Sequence, residues 1–295
     1  MPYSIPNKID FYITNVCNYT CNRCNRFNNH DFKGWQRWSD YEDIYEKWGR
    51  LIDLPCITIM GGEPLLNPTV VDWVNGLNRI FQIDVQVLTN GTRFNYVDGL
   101  YESMLYRSKK NGAQNHIGVS LHNHDDWPQM REDIYKFLKG PIKELAKDEN
   151  PWKSDYGFID NNNVKINVWE SNNFGAAAVI PQANGRFTLH NNNPVLAHQN
   201  CAFVKWKSYH MIRGRLYKCG PVALMPEFDQ QFNLDISDED RVILNSYKSL
   251  GLDNFAEYNN KFFNNIADPI AQCKFCAIDY APEKIFPIRK GRIPN

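Results

Sequence analysis

Cys17-Asn18-Tyr19-Thr20-Cys21-Asn22-Arg23-Cys24 places three thiols within eight residues, just after the strand-like run Phe11-Tyr12-Ile13-Thr14. Soft thiolates gathered on one short loop select zinc, copper(I) or iron–sulfur clusters. A structural zinc site needs a fourth Cys or His to close its tetrahedron. A cubane cluster held by three thiolates instead keeps one iron open for a further ligand. On spacing alone a zinc knuckle or an ordinary cysteine loop stands beside the cluster reading, so the flanking segments carry weight.

Working outward, Tyr41, Ile44, Tyr45, Trp48, Leu51 and Ile52 recur at helical spacing, with Ser39 and Glu42 as a capping box. A strand over Cys56–Met60 runs into the turn Gly61-Gly62-Glu63-Pro64. Asn67 as N-cap and Pro68 at the first position then open a helix with Val70, Val71, Val74, Leu77 and Phe81 on its apolar face. Ile83–Leu88 alternates as a strand and ends in Thr89-Asn90-Gly91-Thr92. His116–Leu121 is a fourth strand, followed by the polar loop His122–Asp126. A helix is expected from about Gln129 to Lys147 with a break near Gly140-Pro141, then a fifth strand over Val164–Trp169. Strands alternating with helices predict an α/β fold of parallel βαβ units with right-handed crossovers. The polar motifs all follow strand ends, where such barrels place their sites. His30–Trp38 and the Asn-, Gly- and Pro-rich Ser171–Asn200 read as loops.

Composition narrows the function classes. The chain has 295 residues, 43% apolar and 22% charged, with 33 basic residues against 33 acidic. That length suits one barrel-sized domain with a small appendage, and the charge balance argues against a nucleic-acid-binding surface. No apolar run reaches the ~18 residues of a membrane span, and Met1–Asp10 has no secretory apolar core. A cytoplasmic protein is therefore expected, in which the eight cysteines are metal ligands rather than disulfides. Cys56, beside Ile57-Thr58-Ile59-Met60, reads as a small core residue.

C-x3-C-x2-C, followed one βα unit later by Gly61-Gly62-Glu63-Pro64, resembles the signature of the radical S-adenosylmethionine (radical SAM) superfamily. The resemblance implies a partial parallel TIM-like barrel of five to six β/α units. It also implies a [4Fe–4S] cluster on Cys17, Cys21 and Cys24, with SAM chelated at the open iron. Gly61, Gly62 and Glu63 would hold the methionine amino group, and Asn90 and Ser120 match positions that contact SAM. The residue before the third cysteine, an aromatic adenine contact in the family, is here Arg23, whose guanidinium can stack on a base.

A second cysteine set lies beyond. Cys201 and Cys219 flank Phe203–Met211, Arg213-Gly214 and Arg215–Lys218, the pattern of a β-hairpin with a glycine turn. A helix over Ser237–Ser249 follows, with Ser237 as N-cap, and then the pair Cys273-Lys274-Phe275-Cys276. This spacing resembles the twitch domain, the shortened form of the SPASM auxiliary-cluster module. The resemblance implies a small α+β unit with a second, auxiliary [4Fe–4S] cluster on Cys201, Cys219, Cys273 and Cys276. On the residues alone, a four-thiolate structural zinc site is equally suitable. The expected organisation is a radical SAM barrel over 1–200, a twitch domain over 201–280 and a tail over 281–295.

The organisation is similar to that of the twitch enzyme that dehydrogenates an aminocyclitol, 2-deoxy-scyllo-inosamine. It implies a dehydrogenase-like oxidoreductase acting on a small polar molecule, with the auxiliary cluster taking one electron and a flavodoxin or ferredoxin supplying the reductant. His122, His124 and Glu170, after strand ends, are the candidate bases. Crosslinking or oxidation of a peptide is the alternative reaction; Cys17 leaves no room for a leader-binding module ahead of the barrel. A non-catalytic iron–sulfur or zinc-stabilised binding protein is the alternative from another class. Trp35, Trp38 and Trp152 line a pocket, pack in the core or form a partner surface.

Overall fold

The computed structural model describes residues 2–5, 8–21, 24–145, 154–171, 179–201, 203–204, 208–265 and 267–278. Arg23, Trp152 and the tail 281–295 lie outside the described residues. The fold is mixed α/β around one large, mostly parallel sheet. Its strands are β1 (Ile9–Tyr12), β2 (Ile57–Met60), β3 (Val85–Thr89), β4 (His116–Leu121), β5 (Lys143–Leu145), β6 (Tyr156–Ile159), β7 (Lys165–Glu170), β8 (Tyr209–Ile212) and β9 (Arg215–Tyr217). They run in the order β9-β8-β1-β2-β3-β4-β7-β6-β5. From β8 to β7 all neighbours are parallel; β9, β6 and β5 add antiparallel edges.

Helices α1 (Glu42–Leu51), α2 (Val70–Phe81), α3 (Leu100–Met104) and α4 (Trp127–Phe137) cover one face. Strand alternation turns Ile9, Phe11, Ile57, Ile59, Val85, Val87, Ile117, Val119, Ile166 and Val168 towards them, all essentially unexposed. Trp73, Val74, Leu77 and Phe81 of α2 meet this row, each such burial stabilising by ~1.5–3 kcal/mol. The opposite face carries His210, Asp10, Thr58 and Gln86 in register, with Asn167 and Ser120 further along their strands on the same face. A sheet apolar on one side and polar on the other has its core behind it and its site in front. Parallel strands bring the C-terminal ends of β1, β2, β3, β4 and β7 to one edge, where the cysteine loop, the glycine turn, Thr89–Thr92 and His122–Asp126 follow them.

Several local expectations change. Ser39 does not cap α1: a 3-10 turn over Trp38–Asp40 precedes it, and Trp38 is core, 5.1 Å from Trp73. Asn67 forms a turn one step before α2, accepting from Thr69 N at 2.9 Å, while its amide donates to the Ile13 and Gln36 carbonyls. The helix expected to Lys147 stops at Phe137, because Gly140 takes φ +80° and Pro141 has no N–H to continue it. The chain instead returns as β5. Ser171–Asn200 is not all loop: Val179–Pro181 pairs with Phe187–Leu189, and Asn193-Pro194 caps α5 (Pro194–Gln199).

The C-terminal hairpin forms as expected, turning through Arg213 (φ 49°) and Gly214 (φ 73°). Its first strand is also the parallel neighbour of β1, so the sheet continues through it. After β9 come α6 (Gly220–Phe232), α7 (Asp238–Asn245), capped by Ser237, and α8 (Phe255–Asn264). A second core around Phe228 of α6 includes Tyr12 and Phe27 beside the first cysteine loop, with Phe27 and Phe228 rings 5.2 Å apart. No helix among the described residues is long and apolar enough to cross a membrane.

Candidate active site

The loop after β1 is held chiefly by the turn after β2. Gly62 N donates to Thr14 O at 2.7 Å and Glu63 N to Val16 O at 2.8 Å. A Cβ on Gly61 would lie 2.5 Å from Thr14 O, and one on Gly62 2.3 Å from Val16 O. Glycine is required because two backbones touch there. The turn after β3 adds a side-chain clasp: Asn90 Nδ2 donates to Asn18 Oδ1 (2.9 Å), and Asn18 Nδ2 to Thr92 Oγ1 (2.8 Å). Asn28 anchors the far end of the loop on the Asn15 carbonyl and the Tyr12 hydroxyl.

Cys17, Cys21 and Cys24 so held line one cavity of about 160 Å³. Gly61, Gly62, Asn90, Ser120 and His122, from the ends of β2, β3 and β4, line it too. Burial pushes the Cys17 thiol up to about 12, and raises those of Cys21 and Cys24 likewise. Such thiols give up their protons to a metal rather than to water. Three donors facing one cavity beside two exposed-backbone glycines fit a cluster with an open iron.

Glu63 is placed differently from its neighbours. It is fully buried behind the cavity wall, accepting from Leu65 N (3.0 Å), Thr89 Oγ1 (2.6 Å) and Asn90 N (2.7 Å). Its carboxylate ties the β2 turn to the β3 turn. Burial lifts its pKa to about 7, against the lowering effect of those donors. Of the candidate bases, only His122 reaches the cavity; burial lowers its pKa to about 4, opposed by a backbone hydrogen bond to Ser171. Its imidazole is therefore neutral near pH 7. His124 is largely exposed, 4.0 Å from Glu170, and Glu170 accepts from Tyr156 OH at 2.9 Å. Neither lines this cavity.

The four C-terminal cysteines converge from three segments. Cys201, Cys219, Cys273 and Cys276 line a second cavity of about 70 Å³. Cys201 follows α5; Cys219 is the N-cap of the 13-residue α6, where the helix dipole favours negative charge. Cys273 sits on the 3-10 turn Ala271–Phe275 and Cys276 caps its end; Asn192 pins both by donating to the Lys274 and Cys276 carbonyls. Burial raises the Cys219 thiol to about 12 and also lifts Cys273 and Cys276.

Two cations escaped the sequence reading. Lys218 is buried, its ammonium 3.1 Å from His198 Nε2 and bonded to the Asp268 carbonyl, with the thiols of Cys273, Cys219 and Cys201 acting on it. Arg26 lies in the wall of the first cavity. Adjacency to cysteine was the available signal: Lys218 precedes Cys219, and Arg26 is two residues past Cys24. Among the described residues no three His, Cys, Asp or Glu side chains converge closely enough to hold a single metal ion.

Compared with known families, residues 11–143 match the model of the Radical SAM superfamily. This stretch is a radical SAM superfamily domain, running from within β1 through the cysteine loop, the glycine turn and β2 to β4 as far as the first residue of β5. Such a domain implies an enzyme with a [4Fe–4S] cluster and SAM, reductive SAM cleavage and radical chemistry. No curated protein matches the chain.

Proposed function

We propose that this chain is a radical SAM oxidoreductase that removes two electrons from a small polar substrate, with a second, twitch-type [4Fe–4S] site as the acceptor of one of them. When bound, the reduced first cluster and SAM supply a 5′-deoxyadenosyl radical that takes a hydrogen atom from a C–H bond. Cys17, Cys21 and Cys24 would hold that cluster, and the Gly61-Gly62 backbone would face the methionine end of SAM. Cys201, Cys219, Cys273 and Cys276 would hold the second. The observation that carries the reading is their convergence on a cavity sharing Asn25 with the first one.

The chain's own contribution is placement and proton handling. His122, neutral and in the cavity wall, is the group positioned to take the hydroxyl proton of an alcohol as it becomes a carbonyl. Ser120, Ser171 and Asn25 in the wall of the first cavity offer hydroxyl and amide partners to a polyol-like molecule. Two hydrogens leave the substrate, one as an atom and one as a proton, and one electron passes to the second site.

The test is anaerobic turnover with SAM and a strong reductant over small polyols, sugars and nucleosides, then peptides. A product two mass units lighter, formed one-for-one with 5′-deoxyadenosine, is expected. Cys273→Ala/Cys276→Ala should still cleave SAM yet give no such product, and His122→Ala should slow product formation by ~10²-fold or more. Full oxidation by the double cysteine variant would contradict the proposal.

A further inference from the structure

Two residues past Cys24 stands a cation without a role in the reaction as described. Asn25 lines both cavities, and Arg26 beside it is only 7% exposed. Arg26 Nη1 donates to Asn25 Oδ1 at 3.0 Å and Nη2 to Met60 Sδ at 3.2 Å. Its Cζ lies 5.1 Å from the centre of the Phe203 ring. A Cβ on Gly220 would come within 3.0 Å of that Cζ, so the guanidinium rests on the backbone just after Cys219. One side chain therefore walls the first cavity and packs against the residues that flank Cys201 and Cys219.

No carboxylate among the described residues pairs with Arg26, and its Nε has no hydrogen-bond partner. A guanidinium stays charged at any pH a protein meets. A guanidinium this deeply buried is stabilised by negative charge nearby, and its charge already acts on the Cys24 thiol.

We propose that Arg26 is an electrostatic bridge, one fixed cation that serves as counter-charge to both cysteine-bound iron–sulfur sites. The inference rests on the two-cluster reading above. Thiolate-ligated clusters are anionic, and their potentials follow net charge and hydrogen bonding to sulfur. An added electron deepens the negative charge of either site, and a nearby cation stabilises that form. Both sites are thereby easier to reduce, and an electron finds a similar field on either side of Arg26.

Potentiometric titration followed by electron paramagnetic resonance tests this on the anaerobically reconstituted chain, without SAM or substrate. Arg26→Met should lower both midpoints, each by at least the ~59 mV of a tenfold change in a one-electron equilibrium. Arg26→Lys, which keeps the charge, should stay nearer to wild type. Gly220→Ala, which pushes the guanidinium away without removing it, should shift both midpoints in the same direction by less, and it decides the matter if Arg26→Met fails to bind iron. About eight irons per chain in every variant, with neither midpoint or only one displaced, would overturn the bridge. About four irons in the wild type would overturn the two-cluster reading itself, and the bridge with it.

Discussion

The two cysteine cavities are built by opposite means. The first draws its thiols from eight consecutive residues, and backbone contacts with the next turn fix the loop. The second draws four thiols from segments up to 75 residues apart, Cys201 to Cys276, and tertiary packing fixes them: a helix N-terminus, a 3-10 turn and the buried Lys218. A locally encoded site fails when its backbone is disturbed. A packed site fails when its surroundings lose charge or shape. The difference can be broken one side at a time.

The largest effect is expected at Gly62. An added methyl would meet the Val16 carbonyl at 2.3 Å and Cys17 Cβ at 3.0 Å, so the cysteine loop must move. Gly62→Ala should reduce SAM cleavage by about a hundredfold or more, the scale of an ångström-sized misplacement. Iron bound by the C-terminal cysteines should survive. Loss of both sites together would mean that the turn supports the whole fold rather than one loop.

Next in size is Glu63. Its folded pKa of about 7 lies above the ordinary 4.5 of a free side chain. Its contribution to stability is therefore fully present below about pH 4.5 and is lost as pH rises through about 7. From the shift this contribution is on the order of 3 kcal/mol. Denaturant titrations at pH 5 and pH 8 should show wild type losing stability relative to Glu63→Gln. A pH-independent difference between the two would place the carboxyl in a wetter setting than the structure gives it.

The smallest effect tests the packed site. Lys218→Gln removes the ammonium beside Cys201, Cys219 and Cys273. C-terminal iron should then be lost to a chelator about tenfold faster, equivalent to ~1.4 kcal/mol, while the first site holds. Equal loss from both sites would erase the contrast drawn above.

The same contrast explains what the sequence made legible. Cys17, Cys21 and Cys24 share one short loop, and their resemblance, together with Gly61-Gly62 one βα unit later, to a known signature pointed to one cavity; the reason for the glycines, contact with Thr14 and Val16, needed coordinates. Strands β1 to β4 alternate or run apolar and were readable. The strand pair β5–β6 was not, because Lys143–Leu145 carries no apolar alternation and follows a helical pattern. Asn193-Pro194 held a helix-start signal that was masked by the surrounding asparagines. Arg26 and Lys218 are ordinary basic residues in a neutral chain. Adjacency to a cysteine is a weak signal for them, and burial, which depends on contacts distant in sequence, is what sets them apart.

The most direct test of the account is iron and acid-labile sulfide per chain after anaerobic reconstitution, in wild type and in Cys273→Ala/Cys276→Ala. About eight irons falling to about four is the predicted result, one cubane on each cavity. About four irons in both proteins, with zinc bound to the wild type, would contradict it and make the C-terminal cysteines a structural zinc site.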